Sequence, residues 1–223
     1  MVKERKLDRA YTYSDIEKRK FNTLKFQGKW LEHIGTPERK ESWIIYGLSG
    51  QGKTSYAMQL AKYLTEFERV HYNTLEEGMG LSFKLAMERV NMKSVGNKFT
   101  YKKESYDKLV ERLSKKRMPK IVIIDSLQYF FHDRKKTASE DYFSLMERFP
   151  TTLFIFISHA TGNVPRDSLG VTVKFHSDVK IHVHGFVASS SGDYAGTRYG
   201  GKEPMIISEE KYNAMYAVQL TTG

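Results

Sequence analysis

The chain has 223 residues with 36 Lys and Arg against 26 Asp and Glu, a formal charge of +10, and 40% hydrophobic residues. That is enough for one α/β domain with a proper core plus a short extension. The absence of Cys excludes a disulfide framework and a Cys-based zinc module and fits a reducing compartment. No uncharged apolar stretch approaches the roughly 18 residues of a membrane span. The first residues, Met1-Val2-Lys3-Glu4-Arg5-Lys6, hold no apolar signal region, so a cytoplasmic protein with no membrane partner is expected.

Residues 1–40 are polar, basic and weakly patterned, with Tyr11, Tyr13, Phe21, Phe26 and Trp30 scattered among Lys and Arg. They read as an N-terminal arm or lead-in that docks on the core, packs on a neighbouring subunit or stays partly disordered; residues 41–223 read as the core itself. Gly35-Thr36-Pro37 marks a turn before the apolar run 43–46, a predicted strand. Next comes Gly47-Leu48-Ser49-Gly50-Gln51-Gly52-Lys53-Thr54, a complete GxxxxGK[ST] loop. A helix follows to residue 67, with Ala57, Leu60, Ala61 and Leu64 at helical spacing. A strand at 70–75 and a helix at 81–92 continue the alternation of a parallel sheet. A short run at 98–101, a charged helix at 105–116, an apolar strand at 121–125, a helix at 139–149 and a strand at 153–158 come next. The most apolar of these strands are expected at the buried centre. Alternating segments at 171–175, 179–187, 205–207 and 216–220 predict antiparallel strands closing the edge. The predicted fold is an α/β P-loop NTPase: a central, mostly parallel sheet flanked by helices, with antiparallel strands at its C-terminal edge.

In such a loop Gly47, Gly50 and Gly52 let successive backbone N–H groups turn onto phosphates, and the helix starting at Lys53 adds the positive end of its dipole. Lys53 is expected to reach the β- and γ-phosphates and Thr54 to ligate Mg²⁺, with Ser49, Gln51 and Ser55 completing the nucleotide-binding stretch. ATP and Mg²⁺ are therefore the expected cofactors. Asp125, at the end of the strand 121–125, is placed to hold Mg²⁺ through water. Ser126 and not Glu follows it, so the carboxylate that polarises water must come from elsewhere. Glu76 and Glu77, at the end of the strand 70–75, are the expected source, with Glu76 preferred; the alternative is a solvated turn helped by Gly78 and Gly80. His159, ending the next strand on the same rim, is either a γ-phosphate sensor or a capping residue.

The order of loop, Thr-Leu-Glu-Glu, Ile-Asp-Ser and Ser-His-Ala-Thr followed by Gly-Asn-Val-Pro-Arg resembles the RecA-type ATPase core, in particular the RadA and DnaB branch, over about residues 25–220. The resemblance implies that Glu76 activates water and that His159 relays γ-phosphate state to nucleic-acid loops. It also implies a homo-oligomer, ring or filament. Gly196-Thr197-Arg198-Tyr199-Gly200 is similar to that family's Lys-Asn-Arg-Phe-Gly motif, whose basic residues reach a neighbour's nucleotide or DNA. Arg198 is then a trans-acting finger, or else a surface Arg in a hairpin; the motif's Lys is Gly196 here, with Lys202 close enough to substitute. With no Cys for a zinc module and no room for a DnaB-type N-terminal helical domain, the chain resembles the minimal RecA-core proteins of phages and mobile elements.

Aromatics followed by cations suit single-stranded DNA. Phe130, Arg134, Lys135 and Lys136 form one candidate loop and Arg166, within 161–171, marks a second; alternatively Phe130 and Phe131 anchor the core and the lysines are surface charge. His182 and His184 share a strand face with His176 a little earlier, but no Cys or carboxylate completes a metal site, so a polar outer face is expected. The function that follows is ATP hydrolysis coupled to single-stranded DNA in recombination, annealing or replication. A ring helicase or helicase loader with a replication or recombination partner protein, and a nucleotide-switched interaction module with slow turnover, stand beside it. A small-molecule kinase is disfavoured by the lack of an Arg-rich lid.

Overall fold

The computed structural model describes residues 9–221. The chain runs through α1 (Tyr13–Glu17), α2 (Gly28–Ile34), β1 (Glu41–Gly47), α3 (Lys53–Leu64), β2 (Val70–Thr74), α4 (Leu81–Arg89), β3 (Phe99–Lys102), α5 (Tyr106–Leu113), β4 (Ile121–Asp125) and α6 (Leu127–Phe130). It continues through α7 (Ala138–Arg148), β5 (Leu153–Thr161), β6 (Val164–Pro165), α8 (Ser168–His176), β7 (Val179–His184), β8 (Val187–Ser189), β9 (Gly196–Thr197), β10 (Met205–Ile206) and α9 (Glu209–Thr221). The sheet order is β10-β8-β7-β1-β5-β4-β2-β3, with β6 paired to β5 and β9 to β7. Strands β7, β1, β5, β4, β2 and β3 are parallel, whereas β8, β10, β6 and β9 join antiparallel.

The apolar strands owe their central position to burial on both faces, and their two-residue period sorts the side chains into two layers. Trp43 and Ile45, Ile121 and Ile123, Leu153 and Ile155 meet α3 and α4 on one side. Ile44 and Tyr46, Val122 and Ile124, Phe154 and Phe156 meet α5, α7 and α8 on the other. Each large side chain so buried stabilises the fold by about 1.5–3 kcal/mol.

Residues 24–37 pack onto the first of these layers. Leu24, Phe26, Trp30 and Ile34 are buried; Trp30 stacks on Tyr63 with ring centroids 5.3 Å apart and planes at 10°. The Gln27 N–H donates to Tyr63 Oη at 2.8 Å. Gly35 closes the segment by bridging to Gly200, where a Cβ would lie 1.8 Å from the Tyr199 carbonyl oxygen, so only glycine fits. Tyr11, Tyr13, Ile16 and Phe21, around α1, remain exposed.

Two of the expected edge strands are helices. Residues 171–175 lie in α8, which Asp167 caps by accepting from the Gly170 N–H at 2.7 Å. Leu169 and Val173, four residues apart on one face of α8, are buried in the second layer. Residues 216–220 lie in α9.

Candidate active site

Strand register assembles the site. Gly47 at the end of β1 stands opposite His159 of β5, Asp125 at the end of β4 stands opposite Ile157, and Thr74 of β2 stands opposite Asp125. Beyond β2 the N–H groups of Leu75 and Glu76 both donate to the Asp125 carbonyl, at 2.7 and 3.1 Å. This fixes Glu76 beside the β4 terminus, with His159 Nε2 3.0 Å from Glu76 Oε2. The sequence-predicted Lys53, Thr54, Glu76, Asp125 and His159 thus line one cavity of 370 Å³, together with Ser49, Gly50, Gly52 and Ser55 of the loop. Gly47 and Gln51 stand behind this lining: Gly47 passes so close to β7 that a Cβ would lie 2.1 Å from the Val183 carbonyl oxygen.

Gly50 and Gly52 hold φ +74 and +104, the left-handed region in which a side chain is strained. Lys53 Nζ donates to the Leu48 carbonyl at 2.8 Å. Burial lowers the Lys53 pKa, while Glu76 and Asp125 act to raise it. Asp125 is 4% exposed. Burial pushes its carboxyl up to about 6 and Glu76 and Glu77 add to the rise, against the Tyr72 hydroxyl, which donates to Oδ2 at 2.6 Å, and Lys53. The Glu76 carboxyl is held below its ordinary value, first by the hydrogen bond to His159. Glu77 Oε2 is buried without a hydrogen-bond partner among the described residues. Hard oxygens, an under-neutralised buried carboxylate and an orphaned carboxylate oxygen form a donor set that suits a Mg²⁺ carried on phosphates.

The backbone N–H of His159 donates to Gln128 Oε1 at 3.2 Å, and Gln128 Nε2 donates to Ser158 Oγ at 3.0 Å and to Asp167 Oδ2 at 3.1 Å. Gln128 therefore ties the Glu76–His159 pair to the cap of α8. Beside it a groove of 540 Å³ is lined by Tyr129, His132, Lys135, Arg166 and again His159.

Residues 43–172 match the profile of the ATPase family associated with various cellular activities (AAA). The chain belongs to that family. Two solved structures share the fold of this ATPase. A KaiC-like protein from the hyperthermophilic archaeon Pyrococcus horikoshii OT3 is similar at TM-score 0.53 and 20% identity, over 69% of this chain and 76% of that one. The second, an isolated ATPase domain, is similar at TM-score 0.54 and 14% identity, over 78% of this chain and 83% of that one. The fold is that of a RecA-like P-loop ATPase. No curated protein matches the chain.

Other expected site residues of this ATPase stand elsewhere. Phe130 is not presented to a ligand: it is 4% exposed and packs against Tyr106 and Phe131, with centroids 5.5 and 4.9 Å away. Arg134 is engaged within the fold by Asp107 and Asp141, at 2.5 and 3.2 Å, over the Tyr106 ring at 4.4 Å. Lys135, Lys136 and Arg166 are exposed. Tyr129, 53% exposed, is the aromatic that faces outward, and sequence did not single it out from its neighbours. Arg198 pairs with Asp178 at 2.8 Å, at the N-terminal end of β7 and therefore away from the loop of its own chain. Lys202 is exposed, and its N–H donates to the Glu32 carbonyl at 2.8 Å. His182 stacks on His184 and makes a tilted contact with Tyr46, and among the described residues no three or more His, Asp or Glu side chains are gathered so as to hold a metal ion by themselves. No described helix is long and apolar enough to cross a membrane.

Proposed function

We propose that this ATPase hydrolyses ATP with Mg²⁺ and acts on single-stranded DNA in recombination, annealing or replication, as a cytoplasmic oligomer of the minimal RecA-core kind found in phages and mobile elements. The observation that carries this reading is that His159 lines both cavities: its ring meets Glu76 in the nucleotide cavity, and it forms one wall of the basic, aromatic groove.

In this mechanism the loop N–H groups and Lys53 hold the phosphates, Lys53 exchanging its bond to Leu48 for the β- and γ-phosphate oxygens. Thr54 and Asp125 would hold Mg²⁺, which when bound neutralises charge on the phosphates. Glu76, kept ionised by His159, accepts the proton of the attacking water, a role worth about 10²–10⁴ in rate. His159 orients that carboxylate and, through Gln128, connects it to the groove. There Tyr129 stacks a base and Lys135 and Arg166 meet phosphates, with exposed Lys136 next to Lys135 in the chain extending the basic surface. Arg198 and Lys202 act on a neighbouring subunit. The exposed aromatics around α1, within the basic arm of residues 1–40, suit packing on such a neighbour.

ATP hydrolysis measured with and without single-stranded DNA over a range of protein concentrations tests this. Turnover rising with both is expected. Turnover indifferent to both points to the nucleotide-switched interaction module.

A further inference from the structure

The hairpin between β7 and β8 turns through Gly185 and Phe186, and Phe186 holds φ +59, an outlier for a bulky residue. The phosphate-binding loop sustains it. The Phe186 N–H donates to the Gln51 carbonyl at 3.2 Å and the Gly185 N–H donates to Gln51 Oε1 at 2.6 Å. The ring approaches Gly52 so closely that a Cβ there would lie 2.9 Å from Phe186 Cδ1. Lys211 of α9 sets its ammonium 5.1 Å from the Phe186 ring centroid. Both residues line the nucleotide cavity, and the ring is only partly buried. A large aromatic held in strained backbone against a ligand cavity points to a use other than packing.

Sheet order gives the direction of the ligand. Glu76 just beyond β2, Asp125 at the end of β4 and His159 near the end of β5 all lie on one flank of β1, whereas the β7–β8 hairpin lies on the other. With the γ-phosphate among the carboxylates, the nucleoside leaves the loop toward Phe186. We infer that Phe186 and Lys211 form the seat of the nucleoside, the ring serving as a platform for the purine and the ammonium meeting the ribose–phosphate edge. The seat rests on the assignment of this cavity to ATP. It makes Phe186 and Lys211 positioning and specificity residues rather than catalytic ones.

Calorimetric titration of the full chain with ATP and, separately, with inorganic tripolyphosphate, both with Mg²⁺, tests the seat. A base gains affinity by stacking on an aromatic ring, so Phe186→Ala is expected to weaken ATP about tenfold. Phe186→Tyr should retain affinity, and Lys211→Ala, which changes an exposed side chain, should weaken ATP by a smaller factor. Tripolyphosphate affinity should be unchanged in both Phe186 variants. Equal losses of ATP and tripolyphosphate in Phe186→Ala would mean that the ring merely props Gln51, and unchanged ATP affinity in both Phe186→Ala and Lys211→Ala would likewise overturn the seat. If wild type binds neither compound, or if Lys53→Ala leaves both unaffected, the nucleotide assignment itself is overturned and the seat with it.

Discussion

His159 Nε2 and Glu76 Oε2 stand 3.0 Å apart although 83 residues separate them, because the β5 and β2 termini flank β4 on one rim of the sheet. Glu76→Gln is expected to lower the rate of ATP hydrolysis about 10²–10⁴-fold with nucleotide affinity kept. His159→Ala, which frees the carboxylate without removing it, should cost less. Single-turnover hydrolysis alongside nucleotide titration separates the two, and full activity in Glu76→Gln would remove it as the base.

Lys53→Ala should abolish hydrolysis and weaken ATP binding, since no other ammonium is held inside the loop by a loop carbonyl among the described residues. Retained turnover would mean that the phosphates sit elsewhere.

Tyr129→Ala and Phe130→Ala, adjacent in sequence, are expected to diverge. The first leaves stability near wild type and lowers affinity for single-stranded DNA by about 1–3 kcal/mol. The second opens a cavity among Tyr106 and Phe131 and destabilises the fold by about 3–5 kcal/mol. Neutralising Lys135 and Arg166 together should flatten the salt dependence of DNA binding, by a slope of about 0.7 per lost phosphate contact. Urea unfolding and binding titrations at several salt concentrations check all of these. An unchanged salt slope would exclude the groove.

Asp178 is 3% exposed. Burial first, then a proton shared with the Glu41 carboxylate, raises its carboxyl from the ordinary 3.8 to about 7 despite Arg198. A carboxyl raised on folding contributes stability that is fully present below its unfolded value and lost as pH rises through the folded one. Wild type should therefore lose stability relative to Asp178→Asn between pH 3.8 and about 7, since the Asn amide keeps a donor toward Glu41. Denaturant midpoints compared across that window check it, and parallel profiles would refute it.

Removing residues 1–21 should leave a folded domain. Removal through residue 36 strips Leu24, Phe26, Trp30 and Ile34 from the first layer and should leave no cooperative transition. Thermal unfolding of the two truncations distinguishes them.

The strands at 43–46, 121–125 and 153–158 were legible because both faces are apolar, and the loop was legible because its chemistry is local. Residues 171–175 were not: Val-Thr-Val-Lys-Phe alternates like a strand, yet Asp167 caps a helix there and Val173 packs beside Leu169, information that lies outside the window. Phe130 and Tyr129 are equivalent as letters, and only the position of Tyr106 decides which ring is covered. Phe186 carried no motif at all. Its place in the site comes from β7 pairing directly with β1, a neighbour relation that joins residues 43–46 to 179–182.

The same β1 register that sets Gly47 opposite His159 also sends Trp43 and Ile45 to one layer and Ile44 and Tyr46 to the other. A slip of one residue would exchange the two sets and carry the loop about 3.3 Å along the sheet. Misalignment of the site and collapse of both layers are therefore one event. A molecule that folds at all has its phosphate loop in place, and errors in pairing remove protein from the folded pool instead of leaving an intact but inactive molecule.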